Sequence, residues 1–337
     1  MVRSYDYGSA PLLKKKGAPG LMSRQKSLQG KRRMSPASMR QNRNGFLFAL
    51  PWIIGFCCFS IYPLIMSLYY SFTEFNPVVD PKWVGLENYI SLFKDQRFYT
   101  SLFNTCFYAF VATPINLVVA LLLAVIVNKR FKGSGMVRTF FFLPSVIPMV
   151  AATMVWIWMF DPTYGFINNF LKIFGVDGPA WLINPDTTKW ALVMMGAWGT
   201  GTTMLVCLAA LQDVPRSYYE SAELDGANAV QRFFFITLPC VAHVLVYQAI
   251  LNLINAFQYF TQVYVITTAS GGNTSGASGG PENSILMYPL YLFHNAFIYQ
   301  KMGKASAMAW ILLVIVGLLT IVMVRLSNKA VSNAGGE

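Results

Sequence analysis

Gln248, Asn252, Asn255, Tyr259 and Gln262 are spaced 4, 3, 4 and 3 residues apart in an otherwise apolar stretch, which places all five on one face of a helix. Amides and a phenol both donate and accept hydrogen bonds without carrying charge, so the stripe suits a neutral polyol or sugar. The competing reading is glue between helices, at about 0.6 kcal/mol per bond and with no ligand at all. A second concentration, Glu220, Ser221, Ala222, Asp225, Gly226 and Ala227, combines acids with small residues and offers contact rather than catalysis. Covalent, metal and phosphate chemistry find no carrier. The two histidines, His243 and His294, are far apart and outside any H-E-x-x-H or triad context, and read as interhelical or interfacial groups. The five cysteines lie in or beside apolar stretches without a C-x-x-C pair, and read as small apolar residues. Gly30-Lys31 and Gly303-Lys304 lack the rest of a phosphate-binding loop, so the chain has no means of hydrolysing ATP alone.

The elements that must position these residues follow from composition. Of 337 residues 55% are hydrophobic and 12% charged, half the charge of an ordinary soluble domain, about 25%. Six stretches are long and apolar enough to cross a bilayer: about 46–72, 104–127, 139–160, 190–211, 241–267 and 305–324. None of the Lys, Arg, Asp and Glu residues falls inside them, which disfavours an ion-coupled carrier with its intramembrane relay. Pro144 and Pro148 predict a bend in the third span. Gly199-Thr-Gly-Thr-Thr203 in the fourth allows close packing or a local opening. Trp156, Trp158, Trp181 and Trp190 are expected in an outer interfacial belt.

The net charge of +12 is concentrated in one place, because 11 of the 26 Lys and Arg lie in residues 1–45. This basic tail is too polar to bury a core and is expected to be disordered, a topology anchor with attraction to anionic membrane lipids as its functional alternative. It gives no reason to expect nucleic acid as a partner. Four more basic residues lie in 128–138, two in 212–239 and two from Arg325 on, against seven on the other side. Both termini and the loops 128–138 and 212–239 are therefore expected to be cytoplasmic. The loop 212–239 departs from the basic norm, with Asp213, Glu220, Glu223 and Asp225 against two arginines, and is a candidate for protein contact. The outer loops have room for short interfacial helices, and the Gly-rich run 270–281 is expected to be mobile.

Within the acidic loop, Ser217 and Glu220 have capping-box spacing, predicting a helix from Tyr218. Asp225-Gly226 should end it, since glycine takes the left-handed conformation readily, and a second helix should begin near Ala227. The loop resembles the signature of permease subunits of binding-protein-dependent ABC importers, E-A-A-x-x-D-G-A-x5-F-x-x-I-x-L-P. Glu220, Ala222, Asp225, Gly226, Ala227, Phe233, Ile236, Leu238 and Pro239 fall in register, with Ser221 where alanine is usual. Val84–Tyr89, Asn104-Thr105, Arg138–Pro144 and Gly279–Pro281 support the carbohydrate branch, alongside the maltose, glycerol-3-phosphate and multiple-sugar permeases.

The resemblance covers about residues 46–328. It implies an all-α integral membrane protein with six transmembrane helices in the type I ABC importer permease architecture, followed by a short cytoplasmic C-terminus at 329–337. It further implies a coupling helix formed by 220–222 and 225–227, and a bacterial or archaeal cytoplasmic membrane. The expected partners are a second homologous permease, two ATPase subunits holding ATP and Mg, and an extracytoplasmic sugar-binding protein. The alternative from another class is a membrane scaffold or sensor that binds an ATPase without moving solute.

Overall fold

The computed structural model describes residues 36–128, 133–269 and 279–334. They fall into two units that meet at Pro63/Leu64. In the first, helix α1 (Pro36–Phe56) runs into a π-helical turn at Cys57–Ile61. The helix thus starts ten residues before the expected end of the disordered tail; residues 1–35 lie outside the described set, as do 270–278 of the Gly-rich run. Helix α2 (Tyr62–Ser71) completes the first candidate span, Asn44–Ser71.

The second unit is helical apart from a small antiparallel hairpin, β1 (Thr73–Asn76) and β2 (Val79–Trp83), which the all-α expectation did not include. After α3 (Glu87–Phe93), helix α4 (Gln96–Asn128) is long enough to cross a membrane unbroken. The third span is two helices, α5 (Ser134–Phe142) with a 3-10 turn to Val146, and α6 (Met149–Met159), bent by 98°. The break sits where Ile147 and Pro148 are both extended (ψ 131 for each); proline biases the residue before it to this conformation and has no N–H to continue the helical ladder. The short amphipathic α7 (Phe166–Ile173) follows. The fourth span is also a pair, α8 (Pro185–Trp198) and α9 (Gly201–Asp213), bent by 48° at Gly199-Thr200. Both readings of the glycine run hold there. The chain opens at Gly199, and a Cβ on Gly201 would lie 2.8 Å from the Phe141 carbonyl oxygen, so two backbones approach closely.

Helices α10 (Arg216–Leu224) and α11 (Ala229–Arg232) form the acidic loop. A π turn at Phe233–Thr237 leads into α12 (Leu238–Phe257), which breaks at Gln258–Phe260 before α13 (Thr261–Ala269). A buried segment, α14 (Tyr288–Phe293) with a π turn His294–Ile298, precedes α15 (Met302–Ala334). Counted by length and composition, four helices qualify as spans, and six with each bent pair as one.

The hairpin, α3, α14 and the start of α15 pack together at one end of this unit, here the hairpin end. Short motifs build it. Asn88 donates to the Ser71 and Thr73 carbonyls at 2.9 Å, and Asn104 to the Asn283 carbonyl at 2.8 Å. The Thr105 hydroxyl accepts from the Tyr288 amide at 2.8 Å. A Cβ on Gly303 would lie 2.0 Å from the Thr73 carbonyl oxygen, so α15 and β1 meet backbone to backbone. Of the four expected belt tryptophans one is buried. Trp156 is buried against Phe160 and Trp198, and Trp181 donates to Asn168 at 2.7 Å; Trp158 and Trp190 are exposed.

Candidate functional site

A cavity of about 530 Å³ lies where the three interrupted spans come together. Its wall includes the α5–α6 break at Ile147, the α8–α9 break at Gly199 and Thr200, and the α12–α13 break at Gln258–Phe260. Irregular backbone at membrane depth leaves peptide groups outside a helical ladder, which is tolerated only where they face protein or a cavity. Helix α4 closes another side with Tyr108, Thr113 and Asn116.

The structure brings four of the five stripe residues to this wall: Asn252 and Asn255 from α12, Tyr259 from the break and Gln262 from α13. Gln248 is buried and does not line it. The even spacing assumed one continuous helix; the chain breaks within the stripe, and the break itself carries Tyr259 into the cavity. Gln262 reaches across to the Met149 sulfur at 2.8 Å, joining α13 to the far side of the α5–α6 break. The Tyr108 and Tyr259 rings lie 4.2 Å apart between centroids, and Trp156 meets Trp198 edge-on at 5.8 Å.

Polar atoms at this wall, among them Thr113 Oγ1, Asn116 Oδ1 and Asn252 Nδ2, are buried without a hydrogen-bond partner among the described residues. Buried polar groups are ordinarily paired. No Asp, Glu, Lys, Arg or His lines the cavity. The wall therefore offers uncharged donors and acceptors beside aromatic faces, which bind hydroxyl groups and ring C–H faces and contribute no ionic contact. Tyr108, Thr113 and Asn116 were not among the residues that sequence reasoning singled out. Their signal was present, since Tyr108, Ala112 and Asn116 recur at four-residue steps within an apolar span.

The acidic loop forms at the opposite end. Helix α10 begins at Arg216 with Pro215 at its N-cap and no side-chain cap, so the Ser217–Glu220 capping box does not form. The box present is Asn228 with Gln231, each bonding the other's backbone at 2.8 Å, and it starts α11. Gly226 ends α10 as expected, at φ +79. Its amide bonds the Glu223 carbonyl at 3.1 Å and that of Ala227 the Ala222 carbonyl at 2.9 Å, the paired bonds of a Schellman motif. The Arg232–Glu223 ion pair ties α10 to α11, and a Tyr219–Thr237 hydroxyl contact at 3.0 Å ties α10 to the π turn that follows. Ala222, Asp225, Gly226 and Ala227 line a shallow depression of about 310 Å³ with Phe235 and Ile236. Glu220 and Ser221 lie outside it and are exposed. Leu224, at 90% exposure, projects beside the depression.

At the hairpin end, Asp95 joins three elements. Its carboxylate pairs with Lys304 at 2.8 Å and accepts from the Tyr291 hydroxyl and the Arg97 amide. Burial alone would raise this carboxyl; the Lys304 and Tyr291 hydrogen bonds outweigh it and hold it below the usual carboxylate range. His294 is 1% exposed, and burial, with Arg97 nearby, pushes its imidazole down to about 4.

Comparison with known proteins agrees with this arrangement. The family described as "Binding-protein-dependent transport system inner membrane component" matches residues 116–333. The chain is 41% identical over 292 residues to the probable ABC transporter permease protein YesP of Bacillus subtilis, covering 86% of this chain and 92% of that protein. It is 31% identical over 296 residues to the trehalose/maltose transport system permease protein MalF of Thermococcus litoralis, covering 87% and 97%. The fold matches a chain in the crystal structure of a bacterial alginate ABC transporter in complex with an alginate pentasaccharide-bound periplasmic protein, with a TM-score of 0.75 at 20% identity, covering 88% of this chain and 98% of that one. The chain belongs to the binding-protein-dependent transport system inner membrane components, the permease subunits of ABC importers, and carries their type I helical fold.

Proposed function

We propose that the chain forms half of the translocation pathway for a sugar or oligosaccharide, with Asn252, Asn255, Tyr259 and Gln262 as pathway contacts. The observation that carries this reading is the cavity itself, built at three helix breaks from uncharged hydrogen-bonding groups and aromatic rings. Support comes from relatives whose names specify sugars, such as the trehalose/maltose permease. A binding protein on the outer side delivers the substrate, and a second homologous permease supplies the other half of the pathway. Of two ATPase subunits holding ATP and Mg, one docks on this chain at Glu220–Ala222 and Asp225–Ala227. That assignment is supported by a rigid α10–α11 pair that keeps Leu224 and a shallow depression exposed. In this orientation both termini and the acidic loop face the cytoplasm.

Replacing Asn252, Asn255 and Gln262 together by leucine removes the polar wall and preserves apolar bulk. The expected result is loss of sugar uptake by a complex that still assembles. Unchanged uptake would refute the pathway assignment and favour a scaffold or sensor.

A further inference from the structure

Between α6 and α8 the chain places α7 outside both broken spans. Each helical residue turns about 100° from the last, which divides α7 into three sectors. Ile167, Asn168 and Leu171 face the protein. Asn168 is 2% exposed; its Nδ2 donates to the carbonyl of Pro179 at 3.2 Å and to those of Pro162 and Gly178 at 3.4 Å, while its Oδ1 accepts from Trp181 at 2.7 Å. These bonds fix the rotation of the helix. Asn169 and Lys172 form an exposed polar sector. Phe166, Phe170 and Ile173, with Phe174 just past the helix end, form an apolar sector that is 59%, 50%, 77% and 69% exposed. Their rings are already in register, Phe166 on Phe170 at 6.2 Å and Phe170 on Phe174 at 5.3 Å.

An adjacent set of large apolar side chains held outward by a buried anchor needs a cover. The geometry points to the lipid–water interface as that cover: α7 lies in the membrane plane, with Phe166, Phe170, Ile173 and Phe174 sunk among acyl chains and Lys172 at the phosphates. The position of α7 supports lipid. Asp161 caps the connection after α6, accepting from the Thr163 and Tyr164 amides at 2.8 and 3.1 Å, and Gly165 bonds back to its carbonyl at 3.0 Å. Helix α7 therefore starts at the end level of a span. The face also continues the exposed aromatic surface there, Trp158 at 58% and Tyr164 at 60%, as in an interfacial belt. Its chemistry supports lipid too. The four side chains at its centre are phenyl and aliphatic, with no hydrogen-bonding group to match to a protein partner and Lys172 alone at the flank.

The test places p-benzoylphenylalanine at position 170, 174 or 169 of the complete transporter in vesicles of phosphatidylethanolamine and phosphatidylglycerol. After irradiation, lipid adducts at 170 and 174 should exceed those at 169 by about tenfold. Crosslinks from 170 to another protein chain, or equal lipid adducts at 169 and 170, would overturn the proposal. Phe170→Trp, a milder change, provides the second measurement. Its added fluorescence should be quenched by brominated acyl chains and shielded from aqueous iodide, and the reverse pattern would also overturn it.

Discussion

Gly196→Ala isolates one contact in the cavity wall. A Cβ there would lie 2.8 Å from the Tyr108 hydroxyl oxygen, whereas ordinary contact begins at 3.4 Å; the next atom, Asn116 Nδ2, is at 3.6 Å. The hydroxyl has little room to yield, because Tyr108 is 4% exposed and its ring lies 4.2 Å from that of Tyr259. Overpacking of this kind costs about 1–3 kcal/mol, while alanine gains about 0.5–1 kcal/mol over glycine in a helix. The net effect is a loss of up to about 2.5 kcal/mol. Tyr108→Phe removes the clashing atom, so in that background the same alanine should stabilise by about 0.5–1 kcal/mol. The sign reversal is the prediction, with a coupling of about 1–3 kcal/mol. Four proteins, wild type, the two single variants and the double, are unfolded by SDS in mixed micelles. A coupling under about 0.5 kcal/mol would refute the contact and the rigid tyrosine pair behind it.

Three more predictions concern the two ends of the fold. Gly226 has φ +79 and open space where a Cβ would sit, so Gly226→Ala should cost only about 1–2 kcal/mol of backbone strain. Gly226→Pro, locked near −65°, should abolish binding-protein-stimulated ATPase activity in reconstituted vesicles with insertion intact; normal stimulation would sink the coupling assignment. His294 titrates at about 4 when folded, below about 6.5 when unfolded. Its contribution is therefore complete above about 6.5 and is lost as pH falls toward 4. Thermal midpoints across that window should drop for wild type and drop less for His294→Gln, and parallel curves would exclude the buried neutral imidazole as the cause. Asp95→Asn leaves Lys304, whose side chain is 15% exposed, without its carboxylate and should cost about 2 kcal/mol. An unchanged unfolding midpoint would show that the pair holds nothing together.

The spans were legible because a bilayer admits only helices and closed barrels and a long apolar run suits the helix, and their interruptions were legible only where a residue type enforces one. Pro144 and Pro148 announced the 98° break. Gly199 left two readings open, and the close approach at Gly201 shows that packing and opening occur two residues apart. Gln258-Tyr259-Phe260 carries no proline or glycine; Tyr259 stacks there on Tyr108, a residue 151 positions earlier, and no local rule anticipates that. The loop helices show the same competition at shorter range. Ser217–Glu220 and Asn228–Gln231 both satisfy capping-box spacing. Pro215 fixes φ at −60 and starts α10 two residues too early for the first, while left-handed Gly226 obliges the chain to begin again at Asn228.

The cavity turns this partial legibility into a physical rule about the site. A stripe read from one span states which way that span faces, but a binding site needs a second wall, and its rotation is set by packing elsewhere. Helix α4 is rotated by its contacts at the hairpin end, where Asn104 and Thr105 are clamped to 283–288. That clamp sets Tyr108, one turn further along, against Tyr259, and Asn116, about three turns along, at the cavity wall. The motif residues at 104–105 thus bear on the cavity through the orientation of α4, without lining it. Asn104→Ala should therefore disturb uptake more than its distance from the cavity suggests, whereas Ser91→Ala, which removes an exposed hydroxyl bonded only to the Asn88 carbonyl at 2.8 Å, should leave uptake unchanged. Equal uptake by the two variants would separate the clamp from the pathway.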